Sequence, residues 1–166
     1  MENYKKFLTI SFALFLMGCG GNEEKKKDPF TLKKQPGTET AGANKTSTKA
    51  SETIDLTNKG IGPVKTLELP AEIDQAMAAH GAEIYQKMCT ACHRPDKKFI
   101  GPAQKGVLER RTPEWTMNMI LNPEEMLQKD PLAKALFVEF NGSPMANQNL
   151  TQEEARAVLE YFRTLK

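Results

Sequence analysis

The chain has 166 residues, with 23 Lys and Arg against 21 Asp and Glu and 39% hydrophobic residues. From Ile73 to the end the charges balance at twelve of each sign, which makes nucleic acid a poor guess as partner. The three cysteines make no even disulfide framework, and the apolar residues gather at the start and in the last hundred or so positions, so one compact C-terminal domain is expected.

Lys5 and Lys6 precede an apolar run from Phe7 to Gly18 that ends in Leu16-Met17-Gly18-Cys19. This is the layout of a secretory signal. As a helix the run would reach roughly 18 Å at 1.5 Å per residue, short of the ~30 Å hydrocarbon core of a bilayer. Leu, two residues ending in a small one, and then Cys resembles the bacterial lipobox, which implies cleavage after residue 18 and acylation of Cys19. Two or three acyl chains, at ~0.8 kcal/mol per buried methylene, would anchor the chain firmly. The competing reading is an ordinary signal peptide with an incidental cysteine.

Residues 19–69 are read as the lipidated Cys19 followed by a flexible, disordered tether. The stretch is rich in Lys, Thr, Gly, Asn and Glu, and carries neither a helical nor an alternating apolar period. Ile54-Asp55-Leu56 and Val64 to Leu69 are the places where it could pack on the domain as short extended pieces. Residues 70–166 are read as the folded domain.

Pro70 to Met88 reads as a helix with Ile73, Met77, Ile84 and Met88 on one side and Gly81 and Tyr85 beside them. It runs into Cys89-Thr90-Ala91-Cys92-His93. Two thiols three positions apart with a His directly after form the haem c attachment pattern. One helical turn sets both sulfurs to add to the two vinyl groups of a haem, with His93 under the iron. A zinc site would need two further Cys or His ligands, and the chain offers only Cys19 and His80. A thioredoxin-like pair would follow a strand, whereas the residues before Cys89 read as helix.

Beyond the motif, Thr112-Pro113, Asn122-Pro123 and Asp130-Pro131 read as starts of short helices. Thr151-Gln152-Glu153-Glu154 is a capping box opening a final helix in which Ala155, Val158, Leu159, Phe162 and Leu165 recur at helical spacing.

On these residues the domain resembles the class I c-type cytochromes, over nearly all of its length. Gly81 lies eight positions and Tyr85 four positions before Cys89, where that family carries a small residue and an aromatic. The resemblance implies that they pack against an aromatic of the last helix, for which Tyr161 is the candidate. It implies that the carbonyl of Pro102, in Gly101-Pro102, accepts the Nδ1 hydrogen of His93 and so raises its basicity.

The resemblance also implies a Met thioether as sixth iron ligand, in a loop shortly before the final helix. Met145, in Asn141-Gly142-Ser143-Pro144-Met145-Ala146-Asn147, stands there. Met117, Met119 and Met126 lie in helical stretches and read as core, and His80 as a helix-surface or core-edge residue. Trp115 is read equally as a haem-propionate partner or a core aromatic. Lys97, Lys98, Lys105, Arg110 and Arg111 read as a solvated basic face, or as a ring steering an acidic partner to the haem edge.

The expected protein is therefore an all-α, class I cytochrome c-like haem domain with one covalently bound haem c. It would be exported and lipid-anchored, exchanging single electrons on the periplasmic side of the inner membrane or at the outer membrane, with catalysis left to a partner. A quinol-oxidising complex upstream and a terminal oxidase or nitrogen-oxide reductase downstream are the partners in view. Two rival readings are a gas-binding or sensing haem domain with an open sixth position, and a lipoprotein in which the motif arose by chance.

Overall fold

The computed structural model describes residues 49–166. The expected signal segment 1–18 and the acylation candidate Cys19 lie outside the described residues, as do residues 20–48 of the expected tether. Six helices follow in chain order: α1 (Gln75–Met88), α2 (Val107–Arg110), α3 (Pro113–Leu121), α4 (Pro123–Lys129), α5 (Pro131–Glu139) and α6 (Gln152–Thr164). Among the described residues, the regular structure besides these helices is one isolated parallel bridge between Asp55 and Arg111; turns and irregular backbone connect the rest. None of their helices is long and apolar enough to cross a membrane.

Each helix boundary has a local cause. Asp74 caps α1 by accepting from the Met77 amide at 2.9 Å, so the helix starts at Gln75 rather than at Pro70 as the sequence suggested. Thr112 and Asp130 cap α3 and α5 in the same way, each with proline in the first turn, where its missing N–H costs nothing. Asn122 and Pro123 open α4. Asn141 and Gly142, both at positive φ, turn the chain off α5. The capping box of α6 is complete: the Glu154 amide donates to Thr151 Oγ1 at 3.1 Å, and the Thr151 amide donates to the Glu154 carboxylate at 2.8 Å.

The main core lies between α1 and α6, with α3 packed against α6. Ile84, Tyr85, Val158, Leu159, Phe162, Met117 and Ile120 fill it. Gly81 stands where the two backbones meet, since a Cβ there would lie 1.9 Å from the Ala157 carbonyl oxygen. Tyr85 packs against Tyr161 at a ring separation of 5.3 Å and edge-on to Phe162 at 5.8 Å. A smaller core joins Trp115, Met126 and Ala133. Met117 and Met126 are core, as expected; Met88, at the end of α1, is 39% exposed.

An ion-pair cluster around the fully buried Glu160 ties the helix ends together. Glu160 takes hydrogen bonds from Arg156, Arg163 and, at 2.8 Å, the Asp74 amide. Burial works to raise the Glu160 carboxyl, but these donors outweigh it and hold the group below the ordinary glutamate value of 4.5.

The expectation of a flexible tether through residue 69 is corrected over 49–69. This segment is a strap laid across α3 and α5. Ser51 donates through both its amide and its hydroxyl to the Glu139 carboxylate. The Asp55 amide donates to the Arg110 carbonyl at 2.9 Å, and the Thr112 hydroxyl to the Asn58 carbonyl at 2.6 Å. Val64 is buried, clasped by Asn118, which accepts from its amide at 2.9 Å and donates to its carbonyl at 2.8 Å. Ile54 and Leu56 remain exposed. Polar side chains of the domain grip the strap's backbone, so the segment packs without an apolar period of its own.

Arg111 is also corrected. It leaves the basic face and is 3% exposed, with its guanidinium donating to the Ala50 and Thr53 carbonyls and stacking over Trp115 at 5.3 Å. Trp115 is a core aromatic whose Nε1 donates to Asp130 at 3.2 Å.

Candidate functional site

The α1 helix ends at Cys89, whose amide still donates to the Tyr85 carbonyl at 2.9 Å. One further turn follows: the Cys92 and His93 amides both donate to the Cys89 carbonyl, at 3.1 and 2.9 Å. Cys89, Cys92 and His93 thereby reach one wall of a cavity of about 200 Å³. The walls are largely apolar, with Ile100, Val107, Ile120, Phe140, Val158 and Phe162 among them. Met145, half-buried in the loop before α6, lines the same cavity.

Burial and the neighbouring Cys92 push the Cys89 thiol up to about 11, so it stays protonated and weakly nucleophilic at neutral pH. That opposes the thioredoxin-like reading, which needs a depressed thiol. Among the described residues no group of three or more His, Cys, Asp and Glu is placed to hold a metal ion, so the zinc half-site finds no partners among them.

His93 is held neutral, because burial lowers it further than its bond to Pro102 raises it. Its Nδ1 lies 2.9 Å from the Pro102 carbonyl oxygen, the pairing that the Gly-Pro loop implied. Gly101 lets the loop approach the ring, since a Cβ there would stand 2.4 Å from His93 Cε1. The Gly101 amide donates to the Cys92 carbonyl at 2.9 Å, closing the loop back on the motif.

Two groups at the cavity were not singled out from the sequence. Gln104 is buried beside His93. Ser51 of the strap also lines the cavity, as does Arg111, which the sequence placed in the basic stretch. Tyr85 was recognised as a helix-packing residue, but its hydroxyl also has a place here: it is buried without a hydrogen-bond partner among the described residues, and burial pushes it up to about 12. Met88 and Met119 line the cavity beside Met145, whereas His80 is exposed on α1, away from it.

The donor set fits a haem. Two thiols on one helical turn, a neutral imidazole with Nδ1 bonded to a backbone carbonyl, and thioether sulfurs in an apolar enclosure suit covalently attached, low-spin iron. An all-helical fold with this motif at the end of its first helix defines a monohaem cytochrome domain. Comparison with known proteins agrees: the cytochrome c family model matches residues 78–166, and the chain belongs to that family. Its cofactor is accordingly one haem c, covalently bound, and its class of activity is electron transfer.

Among curated proteins, cytochrome c2 of Rhodocyclus tenuis is 33% identical over 81 residues, spanning 48% of this chain and 85% of that one. Among solved structures, cytochrome c from Rhodothermus marinus is 44% identical with a TM-score of 0.61, covering 70% of this chain and 93% of that one. An engineered cytochrome c from the same organism is 43% identical, with a TM-score of 0.61, and covers 70% of this chain and 94% of its own.

Proposed function

We propose that this chain is an exported, lipid-anchored carrier of single electrons between respiratory partners. In this reading Cys89 and Cys92 hold the haem by thioether links, while His93 and Met145 are its axial ligands. The observation that carries it is the meeting of these four side chains on one apolar cavity. When bound, the haem iron supplies a one-electron couple.

The chain's own residues do the rest. The Pro102 carbonyl fixes the hydrogen of His93 on Nδ1 and so leaves Nε2 free to ligate. The apolar walls exclude water and hold both ligands in place across the change of charge. Met145 is preferred to Met119 because it stands in the loop before the last helix, where the class I resemblance puts the thioether. Tethering is assigned to an acylated Cys19. Lys97 and Lys98, exposed after the motif, favour an acidic docking partner.

A quinol-oxidising complex as donor and a terminal oxidase or nitrogen-oxide reductase as acceptor fit a carrier of this kind. Stopped-flow electron transfer with each candidate, at several salt concentrations, tests the assignment. Second-order rates that fall as salt rises are expected for a physiological partner. Slow, salt-independent transfer together with rapid carbon monoxide binding by the reduced protein would favour a gas-binding domain instead.

A further inference from the structure

Gln104 is 9% exposed in the cavity wall, against the ring of His93. Its Nε2 lies 2.8 Å from His93 Nδ1 and 3.1 Å from the Pro102 carbonyl oxygen. His93 Nδ1 is itself 2.9 Å from that oxygen, so three polar atoms close a triangle around the nitrogen that does not ligate.

A histidine that gives Nε2 to iron carries its single hydrogen on Nδ1, which makes Nδ1 a donor. An amide NH₂ held at 2.8 Å would set donor against donor. A half-turn of the amide, which exchanges nitrogen and oxygen without changing its shape, puts an acceptor there instead.

We propose that Gln104 is a positioning residue for electron transfer, giving the Nδ1 hydrogen of His93 a second acceptor, its amide oxygen, beside the Pro102 carbonyl. Two acceptors draw that proton further from the ring than one does. The imidazole becomes a stronger donor to iron, favours the oxidised state, and lowers the midpoint potential. The proposal rests on His93 being an iron ligand.

The opposite orientation predicts the opposite sign. An amide nitrogen donating to the Pro102 carbonyl would compete with His93 for that acceptor, so its removal would strengthen the histidine's bond and lower the potential.

The test is made on the full haem-loaded protein with Gln104→Leu, Gln104→Met and Gln104→Glu. Midpoint potential is measured by spectroelectrochemistry, and the His93 Nδ1–H resonance by NMR of the reduced form. For Leu and Met, the ratio of reduced to oxidised protein at a fixed poise should rise about threefold, about 28 mV at 59 mV per tenfold for one electron. The Nδ1–H resonance should move upfield in both. Gln104→Glu, which keeps an acceptor, should hold the parent potential or fall below it.

An unchanged or lowered midpoint in both apolar variants overturns the proposal. So does a raised midpoint with an unmoved Nδ1–H resonance, because that reports only the loss of a polar group from the pocket. The parent spectrum separates the two readings. Absence of iron-ligated imidazole signals there defeats His93 ligation itself, whereas signals present but unaffected by the substitutions defeat the role of Gln104 alone.

Discussion

Gly81 and Ala157 meet backbone to backbone: a Cβ added to the glycine would fall 1.9 Å from the alanine carbonyl oxygen and 2.9 Å from the Val158 nitrogen. That contact sets how closely α1 and α6 approach. It therefore sets where α1 delivers Cys89, because Tyr85 and Ile84, one turn further on, pack on the same stretch of α6.

Gly81→Ala should destabilise the haem-loaded protein by about 2 kcal/mol or more, since overpacking against rigid backbone outweighs the helix propensity that alanine gains. Thermal unfolding followed at the haem absorption checks it. A variant as stable as the parent would show that the two helices separate freely.

Met145→Ala should abolish the weak near-infrared charge-transfer band of thioether-ligated ferric haem and open the iron to carbon monoxide. Met119→Ala should keep the band, although Met119 lines the same cavity. The two spectra taken together decide which sulfur ligates.

Arg111→Ala should release the strap. Its guanidinium bonds the Ala50 and Thr53 carbonyls, and hydrogen bonds from a charged donor contribute about 1.5–3 kcal/mol. Hydrogen exchange should quicken at the Asp55 amide, which bonds the neighbouring Arg110 carbonyl, while the amides of α6 remain protected.

Glu160 should make stability pH-dependent at the acid end. Its folded carboxyl lies below the ordinary value of 4.5, so its contribution is complete above that value and is lost as the pH falls through the folded one. Glu160→Gln should cost about 2 kcal/mol at neutral pH and flatten the acid limb of the curve. Denaturant titrations between neutral and acid pH measure both effects.

How much of this was legible in the sequence follows from how local each cause is. The capping box at Thr151, the Thr-Pro, Asn-Pro and Asp-Pro helix starts, and the Cys89 to His93 turn each depend on residues a few positions apart, and all are in place. The pairing of Gly81 with α6 spans the whole domain, and only the resemblance to class I cytochromes brought it into view.

The strap was read as tether, with only Ile54 to Leu56 and Val64 to Leu69 allowed to pack, because its attachments come from elsewhere in the chain. Asn118, Arg111 and Glu139 supply the side chains, and the strap supplies mostly backbone. No periodicity records such a grip. Arg111 was misplaced for the same reason, since nothing local distinguishes an arginine that turns inward to a carbonyl from one that faces water. Gln104 carried no signal either: its position against His93 follows from the fold of the Gly101–Pro102 loop.

The most direct test of the account is tandem mass spectrometry of the proteolytic peptide that contains Cys89 to His93. The account predicts that this peptide carries the whole mass of one haem, bound through both Cys89 and Cys92, and resists thiol alkylation. A haem-free peptide with both cysteines open to alkylation would contradict it.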